Sequence, residues 1–224
     1  MGINLKKTSI KKGFEIFELL STENISCGGH NNELNIYMLK IQNKLFSYDE
    51  LYDYILTNIC EYVFNRKRNI EAKEDYKKAQ QLILDALDYL RKSSDKDPGA
   101  GGELGEILLY LFLEQHLKAP KLLTKIELKT SSNEYVHGAD AIHFKFRKDK
   151  KGKTILQIVI GEAKIKNELS DGINEAFISI DEYIKNNNHD FSLIDAHLMN
   201  QLLNNKEAEI LKKYLFYYYH LCFL

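Results

Sequence analysis

Cysteine is scarce in this sequence: its 224 residues include only Cys27, Cys60 and Cys222. None of the three has the spacing of a zinc site, and an odd number cannot form a complete disulfide framework. No signal peptide is recognisable, and no apolar stretch approaches the length of a membrane span. These absences argue against a secreted disulfide scaffold and against a membrane-spanning helix. We expect free thiols in a cytoplasmic protein.

An excess of positive charge is also lacking, because 31 lysines and arginines face 32 acids and the formal net charge is −1. A generally basic surface is therefore excluded as a source of affinity for nucleic acid, and any such affinity must be local. The densest basic stretch spans residues 145–153 and includes Lys148, Lys150 and Lys151. These lysines either contact phosphates without sequence preference or form a solvated hairpin tip that prevents edge pairing.

What the sequence does contain is an apolar, β-branched run at residues 155–161 that ends in Glu162, Ala163 and Lys164. Both faces of the run are apolar, which predicts a central strand covered on both sides. If the strand continues to residue 165, Glu162 and Lys164 share one face. Burying both charges is costly unless they pair with each other or meet a metal. Taken alone, this motif favours a structural ion pair.

A second strand, predicted to begin at Asp140, changes that interpretation. Residues 140–147 and 154–165 flank a lysine-rich turn with Gly152, which predicts a hairpin. Antiparallel pairing would place Asp140 beside Glu162. Two carboxylates that converge on a buried point repel each other unless a cation lies between them. Hard oxygen ligands of this kind suit Mg²⁺ or Mn²⁺ better than zinc.

Asp140 in a Gly-x-Asp sequence, followed by Glu-x-Lys at the end of the next strand, resembles the PD-(D/E)xK nuclease superfamily. The resemblance implies that Asp140 and Glu162 bind one or two divalent ions and that Ala163 lends its backbone carbonyl. It also implies that Lys164 orients or activates the attacking water. The sequence departs from the family label in that no proline precedes Asp140.

Many members of the superfamily add a glutamate from a preceding helix, and residues 101–110 open a strongly apolar helix with two candidates, Glu103 and Glu106. We prefer Glu106 as the catalytic acid, because the apolar run that follows it implies deeper burial. The alternative is that both acids only interact favourably with the dipole at the start of the helix.

Residues 98–185 resemble more narrowly HamA, the nuclease subunit of the Hachiman anti-phage defence system. The resemblance rests on the order of GELGEILLY at 102–110, HGAD at 137–140 and GEAK at 161–164. It implies a metal-dependent DNA nuclease that a superfamily-2 helicase partner restrains until phage or damaged DNA engages it. The alternative is a degenerate nuclease fold that only binds DNA or the helicase, with a Lys164–Glu162 pair in place of the metal.

The best internal boundary is residues 93–102, which contain Pro98 and several glycines. It divides the chain into an N-terminal extension of residues 1–97, α/β or mostly helical, and a nuclease-like core of residues 98–224. We expect an α+β fold, with a mixed sheet flanked by helices. The order of the core elements resembles that of restriction endonucleases.

The local patterns predict individual elements on both sides of this boundary. In the extension they predict a helix after a capping box at Ser47 and Glu50, and a second helix from about Glu71. Residues 14–20 and 34–41 could be strands or short helices. In the core they predict a helix at 103–117, a strand at 123–129, the hairpin and a helix at 170–185.

Two further segments have open interpretations. The strongly apolar residues 215–224 must be buried in the fold, be buried against a helicase or a second copy of the chain, or mark a truncation. His137 lies three positions before Asp140 and could contact a scissile phosphate, although a structural turn histidine is the simpler interpretation.

Overall fold

The computed structural model describes residues 10, 13–27, 30–94, 102–124, 139–149, 151–186, 206, 209 and 221–223. The chain forms two compact units, one of Lys11–Asn58 and the other of Met1–Ile10 together with Ile59–Leu224. Across the described ranges, no helix combines the length and the apolar character needed to cross a membrane.

The smaller unit is built largely from two antiparallel hairpins. A 3₁₀ turn at Phe14–Ile16 leads into β1 (Phe17–Cys27), which pairs with β2 (His30–Leu39). The short strands β3 (Ile41–Gln42) and β4 (Leu45–Phe46) form the second hairpin. Asn43 and Lys44 connect them with φ angles of 51° and 67°, the left-handed conformation of a two-residue hairpin turn. The segments that the sequence left open are therefore mainly strands.

Helix α1 (Tyr48–Val63) begins directly after Ser47, and its last turn, from Ile59, belongs to the larger unit. The backbone carbonyl of Ser47 accepts a hydrogen bond from the amide of Leu51 at 3.0 Å. The predicted capping box is wrong, however, because the hydroxyl of Ser47 is buried and makes no hydrogen bond within the described residues.

Two helices, α2 (Arg66–Lys73) and α3 (Tyr76–Ser94), replace the single helix predicted from about Glu71. The side chain of Asn65 caps α2 by accepting from the amide of Arg68 at 2.8 Å. Asp75 acts in the same way at the start of α3, where it accepts from the amide of Lys77 at 2.9 Å. Each of these polar side chains satisfies an amide that has no partner within its helix. The cap at Asp75 therefore allows α2 to end and α3 to begin as a separate helix.

Helix α4 (Gly102–Gln115) precedes a four-stranded sheet of order β5-β6-β7-β8. The strands are β5 (Lys121–Thr124), β6 (Ala141–Lys148), β7 (Thr154–Gly161) and β8 (Leu221–Phe223), and helix α5 (Leu169–Asn186) follows β7 in the chain. Strands β5, β6 and β7 pair antiparallel, whereas β8 pairs parallel to β7. The predicted α+β class and the mixed sheet are confirmed.

Helix α4 packs on one face of this sheet. Leu113 of α4 is buried in a cluster with Ala119, Ala141 and Val159. A Cβ added to Gly161 would lie 3.0 Å from Leu109 and 3.1 Å from Leu113. The absence of a side chain at residue 161 therefore allows α4 to approach the end of β7 closely. The other face of β7 is also buried, since Leu156, Ile158 and Ile160 are at most 2% exposed.

Two predictions from the sequence concern the apolar C-terminal segment and the domain boundary. Backbone pairing of β8 with residues 158–160 places part of the apolar C-terminal segment in the sheet. The predicted domain boundary at residues 97 and 98 lies outside the described residues. Helices α2 and α3, which we assigned to the extension, belong to the same compact unit as α4 and the sheet.

Candidate metal site at the end of the β6–β7 hairpin

Asp140 and Glu162 are neighbours at the open end of the hairpin. Ala141 pairs with Gly161, and the amide of Asp140 donates to the carbonyl of Gly161 at 3.1 Å, so residues 140 and 162 occupy the next pair of positions. Cβ atoms of directly opposed residues lie about 4.5–5.5 Å apart. Only 6% of Asp140 is exposed, and its Oδ2 accepts a hydrogen bond from the amide of Ala163 at 2.9 Å. This bond holds the Glu162–Lys164 segment against Asp140.

Lys164 completes the group, although not by the predicted strand geometry. Strand β7 ends at Gly161, so the prediction that it continues to residue 165 is wrong. The ammonium of Lys164 nevertheless lies 2.6 Å from Oε1 of Glu162. The side chain of Glu162 is 6% exposed and that of Lys164 is 25% exposed. A buried carboxylate therefore has its charge partner on the solvent side.

The electrostatics of the site act mainly on Glu162. Burial raises the pKa of its carboxyl, and the negative charge of Asp140 raises it further. The hydrogen bond and positive charge of Lys164 oppose this increase in pKa, as does a hydrogen bond from Ser179 on α5. Lys164 pairs with Glu162, so the two adjacent carboxylates, when both are ionised, carry more negative charge than this one lysine neutralises, which favours binding of a cation.

The beginning of α4 lies over the same segment. A Cβ added to Gly105 would lie 3.3 Å from Cγ1 of Ile165 and 3.4 Å from Cβ of Ala163. Glu106, the next residue, accepts a hydrogen bond on Oε2 from the hydroxyl of Tyr62 at 3.1 Å. Glu103 makes a smaller contribution there, through its negative charge, to the raised pKa of Tyr62.

The donor set can be compared with the needs of a divalent ion. In the part of the chain that the structure describes, no three His, Cys, Asp or Glu side chains come close enough to hold a metal together. An ion here would depend on the carboxylates of Asp140 and Glu162, the Ala163 carbonyl and water. One or two carboxylates with several retained waters are typical of Mg²⁺ sites, so the residues fit such an ion.

Other candidate residues lie away from this group or outside the described residues. Lys148 ends β6, and Lys151 lies in the turn that follows it. Lys150 and His137 fall outside the described residues. His143 is fully buried, and its Nδ1 lies 2.7 Å from the carbonyl of Ala119. Burial lowers the pKa of His143 to about 3, so the ring is neutral and structural.

Sequence reasoning missed Tyr62 and Ser179 as partners of the acids. Tyr62 lies 44 positions from Glu106 in the chain, and Ser179 lies on a helix beyond the hairpin. Their only signals in the sequence are a tyrosine in an apolar helical stripe and a serine in an amphipathic helix, which are common features of packed helices.

Comparison with known families identifies the family of this chain. The family model for HamA matches residues 15–221, nearly the whole chain. The chain belongs to the HamA family. No curated protein and no solved structure matches it. The HamA match includes Glu106, Asp140, Glu162 and Lys164, and it extends well beyond residues 98–185, to which the motif-based resemblance applied.

Proposed function

We propose that this chain is a Mg²⁺- or Mn²⁺-dependent deoxyribonuclease, a hydrolase that cleaves phosphodiester bonds. The observation that carries the proposal is the placement of Asp140 and Glu162 side by side at the ends of paired strands, with Lys164 bound to Glu162. Burying two carboxylates costs free energy unless a cation or hydrogen bonds compensate their charges. Acids in such an environment are typical of functional sites.

Each residue has a distinct role in this proposal. Asp140 and Glu162 hold the ion through carboxylate oxygens, and the carbonyl of Ala163 supplies a further oxygen. Glu106 acts from α4, through water. A bound divalent ion lowers the pKa of a coordinated water and neutralises charge on the phosphate. Lys164 orients the attacking water or stabilises the charge that develops on the phosphate oxygens.

The tip of the hairpin is proposed to contact DNA. Asp149 organises this turn, because its Oδ1 accepts hydrogen bonds from the amides of Lys151 and Lys153, both at 2.8 Å. Gly152 has a φ of 77°, a conformation that favours glycine. In this proposal Lys148, Lys150 and Lys151 contact phosphates, which would give affinity without sequence preference.

Membership of the HamA family supports a role in Hachiman anti-phage defence. We propose that the chain is the cytoplasmic nuclease effector of such a system and that a superfamily-2 helicase partner controls it. Self-association of the chain is compatible with this proposal. The helicase partner and its regulation of the nuclease are inferred from the family resemblance and from no contact in the structure.

The experiment is a digestion assay with Mn²⁺ on plasmid and on single-stranded DNA, with and without the helicase. Asp140→Asn, Glu162→Gln and Lys164→Met should each abolish cleavage, as should EDTA. Lys166→Met is a matched control, because Lys166 lies in the same segment but pairs with Glu175 on α5 at 2.7 Å. Full activity of Lys164→Met, or activity in excess EDTA, would refute the assignment.

One observation favours a second candidate function. The 2.6 Å contact between Lys164 and Glu162 neutralises an acid that the nuclease needs, as it would in a degenerate site that only binds DNA or a helicase. Calorimetric titration with Mn²⁺ separates the two functions, since a degenerate site should show no binding that depends on Asp140 and Glu162.

A further inference from the structure

A buried tyrosine on α1 contacts the acid that the proposed function places on α4. The hydroxyl of Tyr62 donates to Oε2 of Glu106 at 3.1 Å, across 44 positions of sequence. Tyr62 is only 1% exposed, so water cannot readily replace this contact. The hydrogen bond therefore links two helices at the side chain of one proposed catalytic residue.

Tyr62 is itself held from two other directions. Its ring lies against that of Tyr110, with the centroids 5.7 Å apart. Its backbone carbonyl accepts a hydrogen bond from the buried ammonium of Lys121 at 3.2 Å. Burial and the negative charge of Glu106 raise the pKa of Tyr62, so its hydroxyl keeps its proton and remains a donor. A donor held in this way restricts the orientation of the carboxylate that it contacts.

The contact also distinguishes between the two acids of α4. The negative charges of Glu106 and Glu103 both raise the pKa of Tyr62, but the hydroxyl of Tyr62 donates its hydrogen bond to Glu106. The preceding residue, Gly105, lies against Ala163 and Ile165, on either side of Lys164. The turn of α4 that Tyr62 fixes is thus the turn that packs on the Glu162–Lys164 segment.

We propose that Tyr62 is a positioning residue that fixes the Glu106 carboxylate for the metal site. This inference rests on the proposed function and deepens it, because it selects Glu106 over Glu103 and assigns a role to a residue outside the motif. Because Glu106 acts through water, Tyr62 lies outside the ligands of the ion, and removing such an outer partner of a metal site commonly changes metal affinity by about 10–100-fold.

The test is calorimetric titration with Mn²⁺ at pH 8 of the unmodified chain, Tyr62→Phe, Glu106→Ala and the double variant. Tyr62→Phe should weaken Mn²⁺ binding by about tenfold, and Glu106→Ala by at least as much. In the Glu106→Ala background, Tyr62→Phe should have no further effect, because the carboxylate that Tyr62 is proposed to position has gone.

Three controls separate positioning from general loss of structure. Tyr54→Phe removes another buried tyrosine hydroxyl, one that makes no hydrogen bond within the described residues, and should leave Mn²⁺ affinity unchanged. Glu103→Ala should also bind Mn²⁺ normally. Glu106→Asp keeps the charge but withdraws the carboxylate from Tyr62, and should lose affinity as Tyr62→Phe does, which keeps the test valid if Tyr62→Phe does not fold.

Additive losses in the double variant, or unchanged affinity in Glu106→Asp, would overturn the role of Tyr62 and leave the nuclease proposal standing. Absence of Asp140-dependent Mn²⁺ binding in the unmodified chain would overturn both.

Discussion

Lys164 and Glu162 form an ion pair in which the ammonium lies 2.6 Å from Oε1, and the side chain of Glu162 is almost entirely buried. Glu162 is also one of the two carboxylates proposed to bind a divalent ion. Lysine and ion therefore compete for one carboxylate, and the lysine side chain is more exposed than the glutamate side chain. Metal binding and catalysis should respond in opposite directions when this lysine is removed.

The first prediction follows from this competition. Lys164→Met should tighten Mn²⁺ binding at pH 8 by up to about tenfold, equivalent to ~1.4 kcal/mol, because the competing ammonium is gone. The same variant should lose at least about 100-fold in cleavage rate, since the charge that stabilises the transition state is gone. Calorimetry and single-turnover digestion measure the two effects. Weaker Mn²⁺ binding in Lys164→Met would show that the lysine supports the ion rather than competes with it.

The second prediction concerns pH. The pKa of Glu162 is raised by burial and by Asp140, and the ion binds only the ionised carboxylate. Mn²⁺ affinity should therefore fall as pH is lowered through a range above the ordinary pKa of a glutamate. Titrations from pH 8 to pH 5 measure this dependence. Affinity that stays constant down to the ordinary glutamate range would contradict it.

The same pKa shift has a defined effect on stability when no ion is bound. The folded chain holds the Glu162 proton more tightly than the unfolded chain does. The Glu162 contribution to the free energy of unfolding is therefore fully present below the ordinary glutamate pKa, and it falls as pH rises through the raised pKa. Added Mn²⁺ should reverse this loss at high pH, which thermal melts with and without the ion can measure.

The third prediction tests how closely α4 approaches the sheet. In Gly161→Ala the new methyl would lie 3.0–3.2 Å from the two Cδ atoms of Leu109, which is closer than normal packing allows. We expect a destabilisation of about 1–3 kcal/mol, measured by urea unfolding. Gly172→Ala is the control, because its methyl would lie 3.7 Å from Lys166 within a helix and should stabilise by about 0.5–1 kcal/mol. Equal stability of Gly161→Ala and the unmodified chain would show that α4 shifts to accommodate the methyl group at little cost in free energy.

The fourth prediction concerns Lys121, a fully buried lysine on β5. Its ammonium donates to the backbone carbonyls of Glu61, Tyr62 and Phe64 at 2.8, 3.2 and 2.8 Å, and so caps the end of α1. Lys121→Met leaves these carbonyls without their charged donor and should destabilise the chain by about 3 kcal/mol. Lys118→Met, at an exposed position three residues earlier, should have little effect on urea unfolding. A stable Lys121→Met variant would mean that other groups cap α1.

The sequence predicted the hairpin and its acid pair because both depend on local pattern. Strand periodicity and the turn at Gly152 define the register, and that register places Asp140 opposite Glu162. The helix that carries Glu106 was predictable for a similar reason, from its continuous apolar run.

What the sequence could not predict depends on contacts between distant segments or on a local competition between structures. Tyr62 contacts Glu106 only after α1 and α4 have packed together. Lys121, on β5, contacts the end of α1 only after the sheet and that helix have packed together. The break between α2 and α3 arises at Asp75, whose side chain bonds to the backbone instead of continuing a helix. The end of β7 at Gly161 coincides with the close approach of α4, which no strand pattern reveals.

The most direct test of the account is whether Asp140 and Glu162 share one divalent ion. Calorimetric titration of the unmodified chain with Mn²⁺ at pH 8 should give saturable binding that is lost in Asp140→Asn and in Glu162→Gln, while both variants keep the melting behaviour of a folded protein. Absence of binding to the unmodified chain, or equal binding to Asp140→Asn, would contradict it.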